Sequence, residues 1–137
     1  MFNYQITIEY LGTNFVGWQI QKNGVSVQLI VQKALTKVLK SKIKVIGAGR
    51  TDSGVHAKGQ SANFPFNQKI KDKHKFLNSV NFFLKNKSVS ITNIKKKNMN
   101  FHARFSVKKK IYKYIILNRQ TTSPIYENRA WLIKNKL

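Results

Sequence analysis

The chain has 137 residues, of which 42% are hydrophobic and none is cysteine. Its length suits one domain, or one domain and part of another, and its apolar content argues against intrinsic disorder. Without cysteine, disulfides and thiolate metal sites are excluded. No apolar run reaches the length of a membrane span, so we expect a cytoplasmic protein with no membrane partner.

The formal net charge is +22, from 26 lysine and arginine residues against four acids. Such an excess favours a polyanionic partner. However, the chain holds 22 lysines, 14 asparagines and 14 isoleucines, and all three have codons rich in A and T, so codon bias is a second explanation. The four arginines are more informative, because guanidinium suits phosphate and base contacts better than ammonium does.

The first segment of the chain predicts a strand, a loop and a helix. Residues 4–10 alternate apolar and polar side chains, as in a strand with one buried face. Residues 12–24 predict a loop with two exposed aromatic side chains, Phe15 and Trp18, of which Trp18 either stacks on RNA or anchors the loop to the core. Ser26 is a predicted N-cap. After it, apolar residues recur at helical spacing: Val27, Ile30, Val31, Ala34, Leu35, Val38 and Leu39.

Four further elements complete a recognisable order. Residues 43–46 and 60–66 predict short strands on either side of a glycine-rich loop, and Pro65 favours the end or edge of the second strand. A second helix begins near Asp72, and a strand runs over residues 89–94. The order β-α-β-β-α-β predicts an α+β, ferredoxin-like fold, an antiparallel sheet with helices on one face.

The remaining residues predict the first strands of a second, similar half. A long strand is predicted at residues 107–117 and another at residues 130–133. We therefore divide the chain into residues 1–104, a ferredoxin-like domain that carries the glycine-rich loop, and residues 105–137, the start of a second, truncated domain.

The glycine-rich loop, residues 47–60, contains four of the seven glycines and an acid, Asp52, two residues after Arg50. The tetrapeptide Thr51-Asp52-Ser53-Gly54 is by itself ordinary turn chemistry, since Asp and Ser bond nearby backbone and glycine accepts positive φ. In a chain with only four acids, an aspartate beside an arginine points to chemistry rather than to solubility.

Four segments together resemble one family. Residues 49–60, Gly-Arg-Thr-Asp-Ser-Gly-Val-His-Ala-Lys-Gly-Gln, resemble the signature loop of the tRNA pseudouridine synthase A family. Residues 15–19 and 26–28 are similar to its amino-terminal segments, and residues 101–106 and 110–116 to its second motif block. The segments occur in the family's order, so the chain resembles the amino-terminal half of these enzymes.

The resemblance implies an isomerase that converts uridine to pseudouridine at positions 38 to 40 of the tRNA anticodon stem-loop, without metal or cofactor. It implies that Asp52 is the carboxylate, which either attacks C1′ or removes a C2′ proton. Arg50 matches the arginine that holds the flipped-out state, and Tyr112 matches the tyrosine that stacks on the base. Tyr114 is predicted to lie in the core. Other possible RNA contacts are Thr51, His56, Gln60, His102, Arg104, Lys108, Lys109 and Lys110.

Competing site chemistries fit the spacing less well. Asp52, His56 and His102 do not have the spacing of a zinc site, so we predict no metal. Ser53 beside His56 lacks the Gly-x-Ser-x-Gly motif of a hydrolase. The lysine runs at residues 95–97 and 108–110 are either solvated faces or phosphate contacts.

Members of the family are longer, with a second half that supplies a basic partner for the aspartate and the far wall of the cleft. We expect tRNA as the partner, a homodimer in the full-length family, and self-association of this shorter chain. The alternative function is a non-catalytic RNA-binding module, inactive because the carboxy-terminal half is missing. The retained Asp52 favours the enzyme, because a pure RNA binder gains nothing from a carboxylate that faces phosphates.

Overall fold

The computed structural model describes residues 1–137 and divides into two compact units, Met1–Val107 and Lys108–Leu137. This division lies close to the boundary predicted after residue 104, although the assignment of two domains stays a prediction. None of the helices is long and apolar enough to cross a membrane.

The first unit has the α+β order predicted from the sequence. Its sheet has the strand order β2-β3-β1-β4, and every neighbouring pair is antiparallel. This is the ferredoxin-like arrangement, so that prediction is confirmed. The elements are β1 (Phe2–Tyr10), a single turn of 3-10 helix (Gly12–Asn14), α1 (Val27–Leu39), β2 (Ile46–Gly47), β3 (Ala57–Phe66), α2 (Lys73–Leu84) and β4 (Val89–Lys97).

Both helices begin where the sequence predicts them: α1 at the predicted N-cap Ser26, and α2 next to Asp72, which is its N-cap in the structure. The Ser26 hydroxyl accepts a hydrogen bond from the Leu29 N–H at 3.2 Å, and the Asp72 carboxylate accepts one from the Lys75 N–H at 3.0 Å. Each cap satisfies a first-turn donor that has no partner within the helix. Helix α1 ends at Leu39, and its C-cap Lys40 has a left-handed φ of 52°.

One hydrophobic core joins the sheet to the two helices. Four alternate side chains of β1 point into this core and are buried: Tyr4, Ile6, Ile8 and Tyr10. The helices contribute Val27, Val31, Ala34, Leu35, Phe76, Val80 and Leu84. Because burial of each large aliphatic side chain stabilises the fold by about 1.5–3 kcal/mol, this shared core holds the helices on the sheet.

Two buried asparagines on the other face of the sheet fix residues 98–106 to its end. Asn63 Nδ2 donates to Asn3 Oδ1 at 3.0 Å, and Asn63 Oδ1 accepts from the Ala103 N–H at 2.8 Å. Asn3 Nδ2 donates to the carbonyl oxygens of Asn98 and Phe101, at 3.0 and 2.8 Å. The two asparagine side chains therefore form hydrogen bonds with each other and with the backbone of residues 98–103, as buried polar groups usually do.

The predicted strand at residues 43–46 is wrong in extent, because strand pairing begins only at Ile46. The backbone of Val45 bonds to α1 instead. Its N–H donates to Gln32 Oε1 at 3.0 Å, and its carbonyl accepts from Gln28 Nε2 at 2.8 Å. Ile43 and Val45 are buried, so their apolar pattern reflects packing of this segment rather than sheet pairing.

The prediction of exposed aromatic side chains in the loop after β1 is also wrong. Phe15 is 8% exposed and Trp18 only 3% exposed, and both belong to the core. Of the two roles weighed for Trp18, the structure shows the anchoring one. The loop is held by backbone hydrogen bonds, among them that of the Val16 N–H to the Val25 carbonyl at 3.0 Å.

The second unit contains β5 (Ile116–Asn118) and β6 (Trp131–Ile133), which are parallel. Residues 130–133 were predicted as a strand, and β6 confirms this. The long strand predicted at residues 107–117 is wrong in extent, because β5 covers only Ile116–Asn118 and pairs with β6 through these three residues. The prediction that Tyr114 lies in the core is also wrong, because this residue is 89% exposed.

We predict that Asn63→Ala destabilises the first unit by about 2 kcal/mol or more. The substitution leaves the buried Asn3 Oδ1 and the Ala103 N–H without their partners, and each such group costs about 1–3 kcal/mol. Urea unfolding measures the change. Asn78→Ala on the exposed face of α2 is the matched control and should change stability by no more than about 0.5 kcal/mol. Equal effects of the two substitutions would contradict the role of the buried pair.

Candidate active site

The glycine-rich loop lies between β2 and β3 and is fastened at both ends. Near its start, the Gln60 side-chain amide donates to the Gly49 carbonyl. Near its end, His56 Nδ1 accepts from the Gly12 N–H at 2.8 Å. Because Nδ1 accepts this bond, neutral His56 carries its proton on Nε2. Gln60 and His56, predicted as possible RNA contacts, thus also bond within the protein.

Thr51, in the middle of the loop, is held through both its backbone and its side chain. The Trp18 N–H donates to the Thr51 carbonyl at 3.1 Å, and the Thr51 and Tyr10 hydroxyls share a hydrogen bond of 2.8 Å. The rings of Tyr10 and Trp18 stack with centroids 6.4 Å apart. Burial raises the pKa of Tyr10, although the bond to Thr51 acts in the opposite direction. The Tyr10 hydroxyl is therefore protonated at neutral pH.

Two glycines allow the loop to approach this aromatic pair. Gly17 has a φ of +97°, and a Cβ there would lie 2.3 Å from the Thr51 carbonyl oxygen. A Cβ on Gly47 would lie 2.5 Å from Trp18 Nε1. Both distances are shorter than any real contact of a Cβ atom, so side chains at these positions would push the loop away from Trp18.

Asp52 directly follows Thr51 and is exposed at an open cleft. The Asp52 carbonyl accepts from the Val55 N–H at 3.1 Å, which closes a turn in which Gly54 has a φ of +81°. The cleft has a volume of about 620 Å³, within the range of small-ligand sites. Its lining brings Arg50 and Asp52 together: Val16, Gln19, Ile20, Gln21, Arg50, Thr51, Asp52 and Ser53.

This arrangement places a carboxylate and a guanidinium on one open surface. A ligand in the cleft would meet Asp52 as a nucleophile or base, and Arg50 as a planar cation that can bind phosphate or stack on a base. No three His, Asp or Glu side chains converge where they could hold a metal ion.

His102 and Arg104 lie outside the lining of the cleft. They lie in the segment that the buried asparagines hold, because Ala103 between them donates its N–H to Asn63 Oδ1. Asn63 is six residues along β3 from Ala57, where the loop ends, which corresponds to roughly 20 Å of strand. The His102 ring stacks on Phe105 with centroids 4.3 Å apart, and the Arg104 guanidinium lies 5.6 Å from the centre of the same ring.

The second unit contains four further predicted contacts, all of them exposed: Lys108, Lys109, Lys110 and Tyr112. Their contacts with substrate stay predictions. Sequence reasoning placed Tyr10 on the buried face of β1 but missed its bond to Thr51. The available signal was the phenol group itself, because a buried tyrosine hydroxyl usually has a hydrogen-bond partner.

We predict that Gly17→Ala destabilises the protein more than Gly54→Ala does, although both residues have positive φ. At Gly54 nothing lies within 4 Å of an added Cβ, so that variant carries only the left-handed backbone cost of about 1–2 kcal/mol. Gly17→Ala adds the collision with Thr51. Urea unfolding of both variants gives the difference, and equal losses would contradict the close approach between Gly17 and the loop.

Comparison with known proteins shows which family the chain resembles. The family model described as tRNA pseudouridine synthase matches residues 6–106. A tRNA pseudouridine synthase A of Pelagibacter ubique (strain HTCC1062) is 51% identical over 137 residues, which cover 100% of this chain and 56% of the relative. Those of Thermoanaerobacter sp. (strain X514) and Ehrlichia canis (strain Jake) are 47% and 45% identical, over 100% and 98% of this chain and 55% of each relative.

The chain spans about half the length of the curated relatives it matches. The family match extends from β1 past β4 and includes the whole glycine-rich loop. The resemblance identified from the motif segments is therefore confirmed, and the chain belongs to the tRNA pseudouridine synthase family.

Proposed function

We propose that this protein isomerises uridine to pseudouridine in the tRNA anticodon stem-loop, at positions 38 to 40, with Asp52 as the catalytic carboxylate. The observation that carries the proposal is the placement of Asp52 beside Arg50 in an open cleft, on a loop fixed to the core through Thr51. Family membership supports tRNA as the substrate. We place the reaction in the cytoplasm.

The chemistry requires no co-reactant. The bond between C1′ and N1 of the base breaks, the base turns, a bond forms between C1′ and C5, and C5 loses a proton while N1 gains one. The product is an isomer of the substrate. Asp52 either attacks C1′ or removes the C2′ proton, and both roles need a carboxylate that reaches the ribose without a large change of the loop.

Arg50 assists the extrusion of the target base. Removing a paired base from a stem costs a few kcal/mol. A planar guanidinium at the rim of the cleft can fill the space that the base leaves and stack on its neighbours. Tyr112 is proposed to stack on the flipped uracil, a role that rests on the family resemblance because this residue lies in the second unit.

A second candidate function is RNA binding without catalysis, which the surface around Phe105 favours. This ring is 76% exposed. The His102 ring stacks on it, and the Arg104 guanidinium lies over it. Exposed aromatic and cationic groups suit the stacking and phosphate contacts of RNA binders.

We also propose that the chain self-associates, because apolar side chains of its second unit are exposed: Ile111, Tyr112, Tyr114, Ile115, Ile116 and Trp131.

We predict that Asp52→Asn abolishes isomerisation and leaves RNA binding unchanged or slightly tighter, because a negative charge facing phosphates is removed. The assay is tritium release from C5 of labelled uridine in an anticodon stem-loop, beside a binding titration. It uses the chain alone and the chain mixed with the part of the Pelagibacter relative that this chain does not cover.

The matched control is Asp72→Asn, which removes one acid but keeps a residue that caps helices well. It should retain full activity. Comparable product from wild type and Asp52→Asn would contradict the catalytic assignment. Binding of the stem-loop without isomerisation, both by the chain alone and by the mixture, would favour the non-catalytic alternative.

We predict that Arg50→Lys lowers the isomerisation rate of a paired target uridine by about tenfold but costs less for an unpaired one, because the unpaired base needs little extrusion. Single-turnover rates on two stem-loops that differ only in the base opposite the target measure this. Arg104→Lys is the control arginine outside the cleft and should affect both substrates equally. Equal losses for Arg50→Lys would instead indicate a simple phosphate contact.

A further inference from the structure

Strand β1 changes its pairing next to the glycine-rich loop. Along β1 and β3, Ile8 pairs with Gln60 but Tyr10 pairs with Ala57, so the register shifts between these positions. Two residues of β3 therefore face a single residue of β1. Such bulges bend a strand and re-aim its side chains, and they recur beside active sites. Here the shift lies where β3 leaves the loop and where the Tyr10 hydroxyl meets Thr51.

The contacts on Thr51 fix the backbone from which Asp52 projects. The Thr51 carbonyl oxygen and the Asp52 nitrogen belong to one planar peptide unit. The bond from the Trp18 N–H to that oxygen, at 3.1 Å, fixes the plane before Asp52. The bond from the Val55 N–H to the Asp52 carbonyl, also 3.1 Å, fixes the plane after it. With both planes held, little freedom beyond side-chain rotation is left to the Asp52 carboxylate.

The two aromatic residues are themselves held by the core. Tyr10 and Trp18 are each 3% exposed and stack on one another. Trp18 also joins the loop to α1, because its carbonyl accepts from the Gln28 N–H at 2.9 Å. A buried tyrosine hydroxyl is a better anchor for Thr51 than water is, since its position is set by the packing of a rigid ring.

We infer that Tyr10 and Trp18 are positioning residues for Asp52, acting through Thr51: Tyr10 through the threonine hydroxyl and Trp18 through its carbonyl. This inference rests on the proposed function, in which Asp52 is the catalytic carboxylate. Neither aromatic residue touches the substrate. Their contribution is to hold the carboxylate where it meets the ribose, so removing one bond should slow the chemical step without weakening RNA binding.

The first test needs no turnover. Tyr10→Phe and Thr51→Val each delete one side of the shared hydrogen bond, and hydrogen exchange reports the loop through the Trp18 and Val55 amides. We expect each variant to speed exchange at both amides by roughly threefold to tenfold, the effect of one ordinary hydrogen bond. The double variant should exchange no faster than the single ones, because they break the same bond.

The matched control is Tyr4→Phe, which deletes another buried tyrosine hydroxyl of β1. The Tyr4 hydroxyl accepts a hydrogen bond from the Ile70 N–H at 2.7 Å, and Ile70 lies outside the glycine-rich loop. We expect no change at the Trp18 and Val55 amides in this variant. Unchanged exchange in Tyr10→Phe, or equal acceleration in Tyr4→Phe, would overturn the inference, because the loop would then not depend on the Tyr10 hydroxyl.

The second test separates positioning from stability. We expect Tyr10→Phe to lower kcat for stem-loop isomerisation by about tenfold to a hundredfold with KM nearly unchanged, as displacement of a reacting group does. Tyr4→Phe leaves the hydrogen bonds of Thr51 in place and should retain wild-type kcat. A raised KM with unchanged kcat would overturn the inference. Absence of isomerisation by the wild type would count against the proposed function alone, since the exchange measurement tests the loop by itself.

Discussion

The hydrogen bonds that hold Thr51 connect the core of the first unit to its cleft. Tyr10 and Trp18, which make them, are core residues in contact with each other. The packing that stabilises β1 and α1 therefore also sets the place of Asp52. A loop tied only to itself would leave the carboxylate mobile, and a mobile carboxylate contributes little to a reaction that depends on orientation.

Two of the four acids of the chain, Asp72 and Asp52, have different places in the structure. Asp72 caps α2, a role that neutral asparagine also fills. Asp52 instead lies among the lining residues of the cleft, beside Arg50. In a chain of net charge +22, this exposed carboxylate is a feature that the fold alone does not require, and the proposed catalytic role gives a reason for it.

The sequence predicted the regular elements of the first unit because their signals are local. Periodicity marked β1 and both helices, the predicted N-cap Ser26 marked the beginning of α1, and the apolar spacing placed the beginning of α2 near Asp72. The bond between Tyr10 and Thr51 was not predictable, because it joins residues 41 positions apart. Burial of Trp18 likewise depends on Gly47, in the distant loop, leaving room for the indole. In the second unit, alternation alone could not reveal that pairing with β6 begins only at Ile116.

The most direct test of this account is the mobility of the loop on the picosecond-to-nanosecond scale. If Tyr10 and Trp18 hold Thr51 as the geometry indicates, nitrogen-15 relaxation should give the amides of residues 50–55 order parameters of about 0.85, the value of rigid backbone. The amides of β1 and β3 in the same sample provide the reference. Order parameters below about 0.6 in the loop, with rigid strands, would contradict the account.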